Sequence, residues 1–268
     1  MTTRDVIAAG RLPRHECERL LMMVTGRNRA EVALGIPLDD ETANAYSKLC
    51  KRRVAGEPLQ YIEGLVPFGG AAIAVDPRVL IPRPETEYLW ELAATLPEKS
   101  PAVVVDLCTG SGALAVGLAM AYTSADVVGC DISADALEVA RANSIRNEVD
   151  VRWFQGDLFE ALPEELAGRV DLLVSNPPYV ADSEMSLLPE EVRSWEPGLA
   201  LAAGPHGLAV ISGIAGEVGR WLAPGGWIFI EIGESHGTAA LALFDDSVEV
   251  ELRRDLTGRD RYVVGRRR

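Results

Sequence analysis

From residue 102 onward the chain alternates short apolar runs with amphipathic stretches, and this constrains its fold more than any other feature. Residues 102–107, 126–131, 149–154, 170–175 and 227–231 are short and rich in valine, isoleucine and other apolar residues, as buried parallel strands are. Helical patterns fill the spaces between them, at 112–122, 134–143, near 207–221 and near 236–244. Such alternation predicts an α/β fold: a parallel sheet with helices on both faces. Two further strands, near 247–253 and 261–265, follow one another without a helix and predict an antiparallel hairpin at one edge.

The first 60 residues lack any strand pattern. Cys17 to Val24 is apolar on one face, with Gly26 as a stop; Asp39-Asp40-Glu41-Thr42 reads as a capped start. Lys51-Arg52-Arg53 complements the dipole of a last turn before Gly56. Between 58 and 87, eight prolines and glycines punctuate pieces such as Ala72–Val75 and Val79–Ile81, a hairpin-like connector. The expected division is a helical domain over 1–70, a linker over 71–87 and a sheet domain over 88–268.

Composition excludes several classes of function. No apolar run is long enough to span a membrane, and Met1-Thr2-Thr3-Arg4-Asp5 opens no secretory segment, so a cytoplasmic protein is expected. Four scattered cysteines and three histidines show no metal-ligand spacing. A net charge of −14 argues against direct binding to nucleic acid, which needs clustered cations. Arg266-Arg267-Arg268 is the one basic run, read as a solvated tail.

Two stretches carry chemistry. Asp106-Leu107-Cys108-Thr109-Gly110-Ser111-Gly112 follows the first strand and opens a helix, so Gly110 and Gly112 let a ligand approach backbone N–H groups at a positive helix end. A dinucleotide would satisfy this pattern too, but Asp106 would oppose a pyrophosphate and favour an ammonium group. S-adenosylmethionine, an amino-acid cation without phosphate, fits better. Asp131, ending the next strand, stands where an acid grips ribose hydroxyls, with Ile132 beside it. Asp157, with Leu158, stands where it could accept from the adenine amino group, or else simply cap a helix. The second stretch is Asn176-Pro177-Pro178-Tyr179, which ends the strand at 170–175. Its prolines make a stiff loop at the carboxyl end of a central strand, where open α/β sheets place ligands.

These residues carry a resemblance to the PrmC/HemK family, the methyltransferases that modify the glutamine of peptide-chain release factors. It runs through Arg52-Arg53, Gly56 to Ile62, Val79 to Glu87, Asp106 to Gly112, Ser175 to Tyr179, Glu196-Pro197 and Asp255 to Arg259. Cys108 departs from the family pattern, where glycine is frequent, and Leu158 stands where some relatives place tryptophan. The resemblance implies a Rossmann-like, seven-stranded class I methyltransferase domain using S-adenosylmethionine. It also implies a small N-terminal helical domain that recognises the partner, joined by a hairpin linker. Cofactor contacts are expected at Asp106, Cys108–Gly112, Asp131, Ile132, Asp157, Leu158 and Asn176. The substrate glutamine is expected at Asn176–Tyr179, with Arg83 and Glu85 as further substrate contacts.

A primary amide is a poor nucleophile, so the site is expected to act by positioning. The Asn176 side-chain oxygen and the Pro177 carbonyl would accept both amide hydrogens, with Tyr179 against the amide plane or facing the methyl donor. The resemblance implies a release factor as the partner, and the enzyme is expected to be a monomer. The rival readings are glutamine methylation of a ribosomal protein, which Pro82-Arg83-Pro84-Glu85 disfavours, and amino-methylation of adenine in DNA, which would need a basic groove.

Overall fold

The computed structural model describes residues 2–268, and the chain resolves into two compact units. The first runs to Leu65 and takes in Pro189–Trp195. It holds α1 (Thr3–Ala9), α2 (Arg14–Thr25), α3 (Arg29–Leu34), α4 (Asp40–Val54) and α5 (Leu59–Glu63), with a sixth helix, Glu190–Trp195, that is α9 in chain order. Local chemistry sets the ends. Asp39 accepts from the Thr42 N–H at 2.7 Å at the start of α4, and Gly26 closes α2 in the left-handed region at φ 64°. Leu20, Leu21, Val32, Tyr46, Leu59 and Ile62 form the core. Arg53 bridges three helices, with bonds of 2.9 Å to both Glu16 oxygens and 2.8 Å to Glu191.

The second unit begins with a hairpin of β1 (Leu65–Phe68) and β2 (Ala71–Ala74), turning on Gly69 and Gly70 at φ 54° and 83°. Two successive positive φ angles suit the twist of a two-residue hairpin turn. The hairpin therefore lies earlier than the pattern of short pieces suggests, and Val79–Ile81 forms no strand. It runs between Pro77 and Pro82, which deny ladder donors at both ends. The open edge of β2 is satisfied from a helix. Asn143 exchanges bonds of 2.7 and 3.0 Å with Ala74, and Asn147 bonds of 2.9 and 3.1 Å with Ala72.

Then follow α6 (Pro84–Thr95), β3 (Val103–Leu107), α7 (Ala113–Ala121), β4 (Asp126–Asp131), α8 (Ala134–Arg146), β5 (Arg152–Gln155), β6 (Val170–Ser175), α10 (Ala209–Trp221), β7 (Leu222–Glu231), α11 (Gly237–Leu241), β8 (Val248–Arg254) and β9 (Asp260–Arg267). Seven strands form one sheet in the order β5-β4-β3-β6-β7-β9-β8. All pairs are parallel except β7–β9 and β9–β8, so the expected edge hairpin is present. The α/β reading of the sequence holds. The basic run at 266–268 is not a solvated tail: Arg266 and Arg267 lie within β9. Arg266 bonds the Gly225 carbonyl at 3.0 Å and stacks 5.3 Å from the centre of the Trp227 ring.

Between β3 and β6 the strand order reverses, and register puts the chemistry at one level. Leu107 lies opposite both Cys130 and Ser175, and Ser175 opposite Ile230. Asp106, Asp131, Asn176 and Glu231 therefore gather at the carboxyl edge of the sheet. This is the switch-point crevice where such folds bind ligands.

Candidate active site

A cavity opens at that switch point. Its walls are the loop after β3 (Cys108, Thr109, Gly110, Ser111), the end of β4 (Asp131, Ile132, Ser133), the loop after β5 (Gly156, Asp157, Leu158) and the loop after β6 (Asn176, Pro178). The wall is completed by 78–82, Thr86 and the segment 197–202. That last segment is held in place by a parallel bridge: the Val180 N–H donates to Leu201, and the Ala203 N–H to Val180, both at 2.9 Å.

The glycine loop is shaped by its own backbone. Gly110 has φ 54° and a Cβ there would meet nothing within 4 Å, so the position faces open space. Gly112, at φ 77°, is needed for packing, because a Cβ would lie 2.9 Å from Trp153 and 3.0 Å from Ala140. Cys108 also adopts a left-handed φ of 59°, which explains why glycine suits that position in the pattern. Leu158 does the same at φ 45°.

Asp131 presents its carboxylate to the cavity. One oxygen accepts from the Gly110 N–H at 2.8 Å and the other from the Ser133 N–H at 2.9 Å, leaving lone pairs for a diol. Burial raises its pKa against those two bonds. Asp157 makes no capping bond to the short helical turn it precedes, so the cap reading does not account for it. Asp106 lies behind the cavity wall rather than in it. It is fully buried and accepts from the Thr109 hydroxyl and, at 3.1 Å, from the Ala115 N–H, while its other oxygen has no protein partner. Burial pushes its pKa up to about 7.

In the loop after β6, the Asn176 amide donates to the Thr86 hydroxyl at 2.9 Å, and that hydroxyl donates to Glu231 at 2.7 Å. The Tyr179 hydroxyl donates to the other Glu231 oxygen at 3.3 Å. Glu231 is 1% exposed, and burial raises its pKa to about 7 although Thr86, Arg261 and Tyr179 oppose the shift. Burial and the Glu231 charge raise the pKa of Tyr179 as well.

The structure thus brings Cys108, Thr109, Gly110, Ser111, Asp131, Ile132, Asp157, Leu158, Asn176 and Pro178 to one cavity. Gly112, Pro177 and Tyr179 stand just outside its lining. Arg83 and Glu85 are turned to other work. Arg83 pairs with the buried Glu196, and the Glu85 carboxylate lies 4.0 Å from the Arg259 guanidinium. Thr86 and Glu231 were not picked out by pattern. A charged residue closing the apolar run Trp227–Ile230 at the carboxyl edge of the sheet was the available signal.

Comparison with known proteins agrees with this geometry. Residues 91–191 match the family described as methyltransferase small domain, and residues 5–64 match the PrmC N-terminal domain. The release factor glutamine methyltransferase of Mycobacterium leprae is 42% identical over 266 residues, spanning 95% of this chain and 90% of that one. The protein of the same name from Bordetella pertussis is 42% identical over 267 residues, 98% of each chain. The chain belongs to the release factor glutamine methyltransferase family. Solved structures add the fold alone. The Thermus thermophilus 16S rRNA N2 G1207 methyltransferase superposes with a TM-score of 0.54 at 19% identity, covering 76% of this chain and 50% of that one. The ribosomal protein L11 methylase of Lactobacillus delbrueckii gives 0.51 at 19% identity, covering 69% and 80%.

The cavity of this family member fits S-adenosylmethionine. Gly110 leaves open the space that a Cβ would fill, the Asp131 carboxylate keeps acceptors for a ribose diol, and Ile132, Leu158 and Val210 offer apolar surface for a base. Among the described residues no cluster of histidine, cysteine or carboxylate could hold a metal ion. None of the described helices is long and apolar enough to cross a membrane.

Proposed function

We propose that this chain transfers a methyl group from S-adenosylmethionine to the side-chain amide nitrogen of the glutamine in the GGQ motif of peptide chain release factors. The observation that carries the reading is the placement of Asn176. Its amide is held by Thr86 in the wall of the same cavity that the Gly110 and Asp131 cradle lines. Full-length similarity to release factor glutamine methyltransferases gives that geometry its substrate.

Bound S-adenosylmethionine supplies an electrophilic sulfonium methyl. The chain's residues do the rest by orientation. Asp131 would accept the ribose hydroxyls, Asp157 the adenine amino group, and Ile132 and Leu158 would flank the base. Residues 108–112 would line the amino-acid end, with Asp106 holding their loop in shape through Thr109 and Ala115. The Asn176 Oδ1 and the Pro177 carbonyl accept the two hydrogens of the substrate amide, and this fixes the nitrogen toward the methyl. Such positioning supplies roughly 7–11 kcal/mol of a barrier. Pro178 and the half-buried ring of Tyr179 flank the amide plane. The extra proton leaves after transfer, so no strong base is required. In this reading the enzyme is a cytoplasmic monomer that binds no nucleic acid directly, and its helical unit docks the release factor.

Incubation with labelled cofactor and, separately, release factor, its Gln→Ala variant, ribosomal proteins and DNA tests the reading. Label is expected on the release factor and lost in the variant. Label on ribosomal protein or DNA instead overturns it.

A further inference from the structure

The tetrapeptide at 176–179 can act only if the correct end of the Asn176 amide faces the substrate. Nothing in the tetrapeptide decides this, because an asparagine amide is nearly symmetric in shape and its two ends differ only in donating or accepting. The residue that decides it lies on another strand. We propose that Glu231, acting through Thr86, is a positioning residue that locks the polarity of the Asn176 amide, so that its oxygen and not its nitrogen faces the glutamine.

The argument follows the protons. A carboxylate only accepts, and a hydroxyl has a single proton to give. Thr86 gives its proton to Glu231 at 2.7 Å, so toward Asn176 it can only accept. The end of the amide that meets Thr86 at 2.9 Å must therefore be the donor, Nδ2. Oδ1 is left for the cavity, where a glutamine amide brings hydrogens that need an acceptor. Were Thr86 free to donate to Asn176, the amide could turn over and present N–H groups to another N–H donor. The lock is built to hold. Thr86 is 5% exposed and Glu231 1%, and the second Glu231 oxygen is occupied by the Tyr179 hydroxyl at 3.3 Å, so one carboxylate sets two residues of the tetrapeptide. The charged and titratable groups facing Glu231 are Glu85 from α6, Tyr179 from the loop after β6, and Arg261 and Tyr262 from β9. Above its pKa of about 7 Glu231 is ionised, and both of its oxygens then only accept.

The inference rests on the proposed activity for its substrate, but the lock itself can be read without substrate. At about pH 8, where the carboxylate is ionised, side-chain amide NMR is recorded on the free protein. The Asn176 signal is assigned by its loss in Asn176→Asp. The parent and Thr86→Ser, which keeps the hydroxyl, are expected to show one slowly exchanging NH₂ pair. Thr86→Val, of the same shape without the hydroxyl, is expected to show fast exchange, and Glu231→Gln a shifted pair. With release factor as substrate, Thr86→Val is expected to lower kcat by about 10- to 100-fold, with cofactor affinity unchanged, and Thr86→Ser to recover most of that loss. A site that can turn its amide should also reject the Gln→Glu release factor less strongly, by about 10-fold, in a binding assay. Unmoved Asn176 signals in Thr86→Val overturn the lock. Moved signals with kcat within about twofold of the parent overturn its role in the reaction. A parent that leaves release factor unmethylated overturns the proposed activity and leaves the lock to stand or fall on the NMR result.

Discussion

Two buried carboxyls stand at the carboxyl edge of the sheet behind the cavity, Asp106 on β3 and Glu231 on β7, and they are wired in opposite ways. Asp106 spends its bonds on its own loop, accepting from Thr109 and Ala115, three and nine residues away. Glu231 reaches Thr86 and Tyr179, which are 145 and 52 residues away. Both are driven up to about 7 by burial. The loop after β3 on the cofactor side is therefore closed by short-range bonds, with Asp131 joining it through the Gly110 N–H. The acceptor side exists only when α6, β6 and β7 have come together. Damage on the first side should appear as lost cofactor affinity, and damage on the second as lost turnover with the cofactor still bound.

Asn176→Ala should break the symmetry most strongly. Turnover is expected to fall on the order of 10²–10³-fold, as when a preorganised polar group is removed elsewhere, while calorimetry finds cofactor affinity falling far less than turnover. Affinity falling in step with turnover would merge the two sides into one. Asp131→Ala is the counterpart, with cofactor dissociation raised by about 10- to 100-fold through loss of charged acceptors, and kcat at saturating cofactor changed far less.

Stability against pH separates the sides in another way. A carboxyl raised to about 7 in the fold contributes stability in its protonated form, present below its ordinary value near 4.5 and lost as pH rises through 7. Glu231→Gln removes that loss. Its melting temperature relative to the parent should therefore be higher at about pH 8 than at about pH 5, by roughly 2–5 °C. An unchanged difference between the two conditions means the carboxyl is not buried as described. Cys108→Gly should have the smallest effect. Relief of the left-handed φ, on the order of 1 kcal/mol, is largely offset by the greater freedom of glycine in the unfolded chain, so stability and cofactor affinity stay close to the parent.

The same contrast explains what could be read from the sequence. The alternation after residue 102 was enough for the α/β sheet, because strand burial and helix amphipathicity are local properties. Asp106 to Gly112, Asp131 and Asn176 to Tyr179 were legible because each sits directly after an apolar run. Thr86 was hidden within a run that a helix start already explains, Pro84 to Glu87, and Glu231 within a strand. Their partnership is a matter of packing across 145 positions, which no periodicity records. Arg83 and Glu85 share the motif with Thr86, yet helix geometry turns only Thr86 into the cavity wall. Val79–Ile81 has strand composition but stays unpaired, because its flanking prolines and the Gly69-Gly70 turn decide the pairing.

The central claim is that the acceptor is a single glutamine amide. Release factor incubated with the enzyme and S-adenosylmethionine can be digested and sequenced by tandem mass spectrometry. A mass gain of one methyl group in place of one hydrogen is expected on the side chain of the GGQ glutamine, and on no other residue. Methylation elsewhere in the release factor, or an unmodified GGQ peptide after prolonged incubation, would contradict it.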